Sequence, residues 1–449
     1  MYQESLVEVT FSNKQLKDQV AISRGLMEDW RLEPQAKVKI GIGPLAVWAE
    51  VAMLDSGKPQ IILSKLHNSK LGITGRCTLY AYRQDDMIRL GPVVGVVMNS
   101  SKIQSIGNHF LRSQTPKLPM LLYKFIPSDI KWASRKVNGT LLARKKNQWR
   151  KALVPFPDVI FNQIKSRKAY QTPLYKRFFK YMDSLDTKMF NHNYFDKGEM
   201  YELISNDSQL KAYLPLSYVS PGIDQIEELL RITPSVFLKP LKGSGGRGIY
   251  KVSKKIGTAP YLCEAKFGNV HIRKSYASLS LLLSHHIQKL SSYLVQQGVD
   301  LMRYGPDLFD LRVQLNKNGE NDWVVTAIGA NINHPSKITT HGGWVKTGTY
   351  VLNEAFQERA PDIESKVLSV SKRIGYVLEK GYGHELGDLG IDLGVDRDGR
   401  VWIFEANSAP GRHIFKHRLL KPMQRVSDQT MMAYCHYLFR KQNENYFTK

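Results

Sequence analysis

Short apolar or alternating runs occupy residues 6–10, 38–42, 46–53, 60–63 and 87–90, with turn-forming stretches such as Asp55-Ser56-Gly57-Lys58-Pro59 between them. Period-two alternation punctuated by Gly, Pro and Ser predicts strands, so residues 1–90 are expected to form a β-rich accessory domain. The pattern changes after Gly91-Pro92. Residues 93–98 are continuously apolar, as in a strand buried on both faces. A helix, a run at 120–125 and a run at 159–161 follow, which predicts a small α/β domain over 91–185. Gly95 and Asn99-Ser100-Ser101 leave room for a ligand or simply form a turn. From 186 to about 415, strands, glycine-rich loops and hairpins succeed one another, and the apolar spacing of 421–446 predicts a closing helix. The fold class expected is α/β with α+β character, and 186–449 is taken as one domain.

Composition narrows the class of protein. A chain of 449 residues that is 42% hydrophobic and 10% aromatic has enough apolar mass for two or three folded domains. Its three cysteines are far apart, with no CxxC pair, so neither a disulfide framework nor a zinc site is expected. The polar N-terminus lacks the apolar core of a signal peptide. The longest apolar stretch, 279–283, is far below the roughly 18 residues of a membrane span. A reduced, cytoplasmic setting is the expectation. The net charge of +24 is uneven: residues 101–190 hold 19 Lys and Arg against 4 Asp and Glu. This basic region suits an anionic polymer or acidic peptide, or is a solvated face that keeps the chain soluble. Nucleic acid is disfavoured, because no RNP-type aromatic motif, KH-like loop or zinc knuckle is present.

Four segments carry candidate chemistry. Ser235-Val236-Phe237-Leu238-Lys239-Pro240 reads as a strand leading into a loop with Gly243, Ser244, Gly245, Gly246 and Gly248. Such glycines let backbone N–H groups approach phosphate oxygens, and Lys239 can add a point charge. A hairpin with no ligand has the same appearance, and the GxxxxGK[ST] order is absent. Residues 390–411 form a second hairpin around Asp396-Arg397-Asp398-Gly399. With a four-residue loop, Asp392 stands opposite Ile403 and shares a face with Glu405 and Asn407. Those are three hard oxygen donors of the kind magnesium takes, or else the wet side of a surface hairpin. In Asp310-Leu311-Arg312 the two charges share a strand face and suit a ribose and a phosphate, or a plain salt bridge. Tyr293-Leu294-Val295-Gln296-Gln297-Gly298-Val299 is an apolar strand with a polar end that can meet a base edge. No HExxH or GxSxG pattern occurs, so His341, His384, His413 and His417 read as ordinary polar residues.

The order of these segments is more informative than any one of them. Lys188 at an expected helix start, Lys239 before the glycine loop, the 296–299 strand end and Asp310-Leu311-Arg312 come first. The Thr339-Thr340-His341-Gly342-Gly343 loop follows, and then Asp392, Glu405-Ala406-Asn407 and Pro410-Gly411. The series resembles the ATP-grasp superfamily over 186 to about 440 and, over nearly the whole chain, the YheC/YheD family of endospore coat-associated proteins. The resemblance implies two α+β ATP-grasp lobes, preceded by a small α/β pre-grasp domain and the β-rich segment. It implies that Lys188, Lys239 and the glycine loop meet ATP phosphates, and that Gln296, Gln297, Gly298 and Val299 line the adenine. Asp310 falls near the ribose, Thr340 in the loop before Gly-Gly, and Arg312, with Lys239, at the reacting phosphate. Asp392, Glu405 and Asn407 hold Mg²⁺.

Two positions depart from the family pattern: Thr340 replaces a common Asn, and Gln297 a common Glu. The activity implied is an ADP-forming carboxylate–amine ligase working through an acyl phosphate, its substrates unidentified. An ATP-grasp kinase acting on an alcohol, or a spore-coat structural protein that binds nucleotide without turnover, would carry the same motifs.

Overall fold

The alternation at the start of the chain closes a barrel. Its strands run in the order Gln3–Ser12, Gln60–Ser64, Gln19–Ser23, Leu45–Leu54, Lys37–Ile42, Met87–Gly91 and Cys77–Gln84. Val7, Val9, Ile22, Ile40, Val51, Ile61 and Leu79 point inward and are buried, and closure pairs both edges of each strand. The five expected strands fall within this set; the sequence reading lacks Gln19–Ser23 and Cys77–Gln84.

The computed structural model describes residues 3–12, 18–73, 75–100, 106–143, 148–185, 187–192, 194–243, 247–267, 270–334 and 343–448. They fall into two units: Met1–His192 with Lys317–Asp322 and Asp428–Lys449, and Asn193–Asn316 with Trp323–Ser427. Beside the barrel, the first unit contains a sheet built around Val93–Met98, which is buried along its whole length. Leu121–Phe125 and Val159–Gln163 flank that strand and Lys188–Phe190 lies beyond, all parallel. An antiparallel extension runs through Lys136–Ala143 to Gln148–Pro155 and Ile130–Lys131. Arg89 of the barrel donates to the Asp158 carboxylate at 2.6 Å, and the Val93 N–H reaches its other oxygen at 2.8 Å. One buried carboxylate thus ties barrel to sheet.

Lys188 does not open a helix. It begins a three-residue strand, whose Met189 and Phe190 are buried in the first unit's cores. Apolar burial on the sheet decides the conformation of so short a segment, and sequence alone carries too little pattern to show it.

The second unit has two α+β lobes, the fold class the sequence led us to expect. One lobe is an antiparallel sheet in the order Ser217–Val219, Tyr293–Gln297, Ser235–Pro240, Tyr250–Lys254, Tyr261–Phe267 and Val270–Tyr276. Helices Ile223–Ile232 and Leu279–His286 pack into its core through Ile226, Leu229, Leu279 and Leu282. The other lobe orders Trp344–Thr347, Trp323–Asn333, Asp307–Lys317, Asp388–Val395 and Val401–Asn407. It is covered by Gly348–Phe356 and by the helix Ala360–Tyr382, whose Ile363, Val367, Val370, Ile374 and Leu378 fill one buried face. Among the described residues, no helix is long and apolar enough to cross a membrane. The closing helix is Lys421–Thr448.

Candidate functional site

Strict alternation makes the site. Along Asp307–Lys317, Leu311, Val313 and Leu315 enter the lobe's core, so Asp310, Arg312, Gln314 and Asn316 share the opposite face. Asp388–Val395 repeats the device: Leu389, Ile391 and Leu393 turn to the core, and Asp388, Gly390 and Asp392 join the polar face. Register sets Arg312 beside Asp392 and Asp392 beside Glu405; two residues along, Gln314, Gly390 and Asn407 form the next row. This polar face is not a wet surface. Arg312, Gln314, Asn316, Asp388 and Asp392 are all buried, which polar groups tolerate only when partnered.

The expected register needs one correction. Asp392 pairs with Glu405, not with Ile403, which instead faces Leu393. The connection runs through five residues, with the Asp396 N–H donating to the Arg400 carbonyl at 3.0 Å. The pairing slips between Asp392 and Leu393, leaving Phe404 as the extra residue of a bulge. The slip makes the two carboxylates direct cross-strand neighbours, an arrangement that repels unless cations intervene.

Cations do intervene. Arg312 clamps Asp392 with two parallel bonds, Nε to Oδ1 at 2.5 Å and Nη2 to Oδ2 at 2.9 Å. A Cβ on residue 390 would lie 2.8 Å from the Arg312 Nη1 and 2.7 Å from the Pro410 Cβ, so glycine is required there. Burial opposes the guanidinium charge, but the Asp392 carboxylate outweighs it and holds Arg312 above its ordinary value. Asn407 Nδ2 reaches Asp392 Oδ2 at 3.4 Å. Asp310 accepts from Asn331 Nδ2 at 2.8 Å; burial, and then the nearby Asp392, push its carboxyl up to about 7.

Two lysines join them, Lys239 from the other lobe and Lys197 from a helix whose Met200 and Ile204 pack in this lobe's own core. Lys239, late on Ser235–Pro240, donates to Gln296 Oε1 and lies 5.6 Å from the Phe404 ring centre. Its side chain keeps some surface, but its ammonium is enclosed. Burial lowers it to about 8, with Glu405 pulling the other way. Lys197 was missed by the sequence reading. It stands in the first turn of Lys197–Ser205, behind the N-cap Asp196. Its Nζ donates to Glu405 Oε1 and to the Gly243 carbonyl, each at 3.0 Å. A signal was available: a lysine in a helix's first turn opposes the macrodipole and so asks for another partner.

The remaining candidates distribute as follows. Gln296 Nε2 donates to Ser217 Oγ at 3.2 Å. Gln297 Oε1 accepts from the Leu216 N–H at 3.2 Å, while the Gln297 N–H donates to the Leu216 carbonyl at 2.8 Å. Gly298 and Val299 continue beyond that strand end, half-buried. Gly248 begins the return of the glycine loop at φ +73°. Ser244, Gly245, Gly246 and Thr340 lie outside the described residues. Lys188 belongs to the first unit, whereas every other described candidate belongs to the second.

The donor set suits a hard divalent cation. Asp392 and Glu405 offer adjacent carboxylates and Asn407 an amide oxygen. Among the described residues no group of three or more His, Cys, Asp or Glu forms an all-protein cage. Magnesium needs none, since it binds through one or two carboxylates and completes its shell with phosphate and water. The cysteines offer no competing chemistry, because burial raises Cys77 and Cys263 to about 12 and Cys435 further still.

Residues 186–438 match a family model described as YheC/D like ATP-grasp. The chain is 30% identical over 374 residues to the endospore coat-associated protein YheD of Bacillus subtilis (strain 168), covering 80% of this chain and 81% of that protein. It is 24% identical over 346 residues to the endospore coat-associated protein YheC of the same organism, covering 74% and 92% respectively. Among solved structures, VanG D-Ala:D-Ser ligase from Enterococcus faecalis aligns with a TM-score of 0.44 at 13% identity, over 78% of this chain and 99% of that one.

Proposed function

Because this chain belongs to the YheC/D-like ATP-grasp family, we propose that it is an ATP- and magnesium-dependent carboxylate–amine ligase that forms ADP through an acyl phosphate. One observation carries the reading. Lys197, Lys239 and Arg312 converge on Asp392 and Glu405 across two lobes of one unit, with Asn407 alongside. Lys197 and Lys239 take the nucleotide phosphates, Gln296 to Val299 the base, and Asp310 the ribose. Asp392, Glu405 and Asn407 hold magnesium, which when bound supplies a Lewis acid and a clamp on phosphate oxygens.

A substrate carboxylate oxygen attacks the terminal phosphorus, and the bond from that phosphorus to the ADP oxygen breaks. The amine then attacks the acyl carbon, orthophosphate leaves with the C–O electron pair, and the amine gives up a proton. Arg312 faces the migrating phosphoryl group. Its clamp on Asp392 fixes the guanidinium in advance, so little reorganisation is needed as charge develops. The carboxylate donor is an anionic peptide or polymer attracted by the basic 101–190 region. The two relatives are named endospore coat-associated, and that setting, after synthesis in the cytoplasm, is part of the proposal.

Hydroxylamine supplied with ATP, magnesium and candidate carboxylates tests the reaction. Hydroxamate formation that disappears in Asp392→Asn and Glu405→Gln supports the ligase. ADP release with phosphate transferred to an alcohol, and no hydroxamate, supports the kinase. A non-catalytic, nucleotide-binding coat protein is the second reading, favoured by the +24 charge and by the engagement of Gln297 Oε1 with Leu216. It predicts nucleotide binding with no ADP release for any carboxylate.

A further inference from the structure

Residues 130–157 hold eight Lys and Arg and no Asp or Glu. Six of the eight lie between 136 and 155, the segment of the first unit's hairpin Lys136–Ala143/Gln148–Pro155. Lys136–Ala143 pairs on its far side with Leu121–Phe125 and Ile130–Lys131. Among the described residues, Gln148–Pro155 pairs with Lys136–Ala143 alone, so it is a sheet edge. Gly72 covers its last residues: a Cβ there would lie 3.3 Å from the Pro155 nitrogen and 3.4 Å from the Leu153 carbonyl oxygen. Toward the other end, Gln148, Arg150 and Lys151 are exposed. Register sets Lys124, Thr140 and Lys151 in one row across three strands. Beside that row, two cations approach the half-buried Trp149 ring. Lys124 Nζ lies 4.7 Å from its centre and the Arg112 guanidinium 5.4 Å. Each is attracted to the ring, but they repel one another, and an anion laid over them offsets that repulsion.

We propose that this edge, over 148–152, binds an extended peptide rich in glutamate or aspartate as an added strand. An edge strand presents backbone N–H and C=O groups to a further strand. Basic side chains on such an edge repel a second copy of it and attract an acidic one. An added strand turns alternate side chains to opposite faces, and this edge has a cation for each. Lys151 lies on one face, with Lys124 and Arg112 behind it at Trp149, and Arg150 lies on the other. A nucleic acid would use the charges but not the backbone groups of the edge. The proposal rests on the reading of 101–190 as a surface for an anionic peptide, and narrows it to one strand and one ligand conformation. It does not depend on the nucleotide chemistry of the second unit.

Calorimetric titration of the full chain at low salt with L-hexaglutamate tests this. The comparison ligands are the same peptide methylated at every backbone nitrogen and a single-stranded oligonucleotide of the same charge. Methylation keeps every carboxylate and removes the N–H donors an added strand needs, so binding is expected to weaken roughly tenfold or more. Lys151→Glu, at an exposed position, should weaken hexaglutamate binding by roughly tenfold or more while leaving melting temperature and nucleotide affinity unchanged. Binding indifferent to methylation or to Lys151→Glu would overturn the strand-addition proposal and leave only a general attraction by the region. No hexaglutamate binding at millimolar peptide would overturn the anionic-peptide reading along with it. An oligonucleotide that binds more tightly than hexaglutamate, and is weakened equally by Lys151→Glu, would make the edge a nucleic-acid surface and overturn the proposal.

Discussion

At Asp310 the fold works against ionisation. Burial and Asp392 raise its carboxyl from an ordinary 3.8 to about 7, so over that interval the folded chain keeps a proton that the unfolded chain has lost. Stability therefore falls as pH rises through the window. Asp310→Asn is expected to raise stability at about pH 8 by roughly 2 kcal/mol and to change little near pH 4, as read by calorimetric melting. Equal effects at both pH values would show that Asp310 ionises without penalty. Lys239 has the opposite charge and matters for binding. With its ammonium lowered to about 8, nucleotide affinity is expected to fall above that pH, and Lys239→Met should weaken binding about tenfold and flatten the profile. Arg312 and Asp392 form a buried pair, and removing one partner strands the other. Arg312→Ala should cost about 3–5 kcal/mol in urea unfolding, whereas Arg312→Met with Asp392→Leu should recover most of it. A double variant as unstable as the single would mean that packing, not charge, holds this row.

The hairpin Asp388–Val395/Val401–Asn407 is the element on which the site depends. Its existence was legible, because Asp396 to Gly399 is turn chemistry between alternating runs. Its register was not, because a bulge at Phe404 is set by packing that no local pattern records. The Phe404 ring lies where a Cβ on residue 394 would be, 2.5 Å away. Gly394→Ala is expected to destabilise by about 1–3 kcal/mol and to weaken nucleotide binding with it. Loss of stability at unchanged affinity would separate the bulge from the site. Other elements divide along the same line. Strand Val93–Met98 was readable from its unbroken apolar run. Helix Ala360–Tyr382 was missed despite a Pro at its N-terminus, a left-handed Gly383 after its end and a clear apolar stripe. Those signals are all local, so this helix was legible in the sequence. Lys197 was missed for a different reason. Its meaning depends on Glu405, which is distant in sequence, whereas Lys239 sits beside its own glycine loop.

For the whole molecule, charge and chemistry belong to different units. The basic 101–190 region lies in the first unit, and the Lys197–Glu405 and Arg312–Asp392 pairs lie in the second. Exposed charges are screened by salt far more than buried ones. Raising salt should therefore weaken capture of an acidic polymer such as polyglutamate by tenfold or more while shifting nucleotide affinity much less. Parallel loss of both would tie polymer and nucleotide to one surface. The ordered series of motifs from Lys239 to Asn407 made the family legible in advance, since spacing survives where individual residues such as Gln297 have changed. What stayed hidden was the burial of the polar sheet face, because sequence alternation looks the same whether that face meets water or is enclosed by protein.

The central claim is a magnesium-dependent nucleotide site built on Asp392 and Glu405. Calorimetric titration with a non-hydrolysable ATP analogue tests it most directly, with and without Mg²⁺, alongside Glu405→Ala. Binding that requires magnesium and weakens at least tenfold in the variant is the result expected. Binding that is indifferent to magnesium and unchanged in Glu405→Ala, or no binding at tens of micromolar protein, would contradict it.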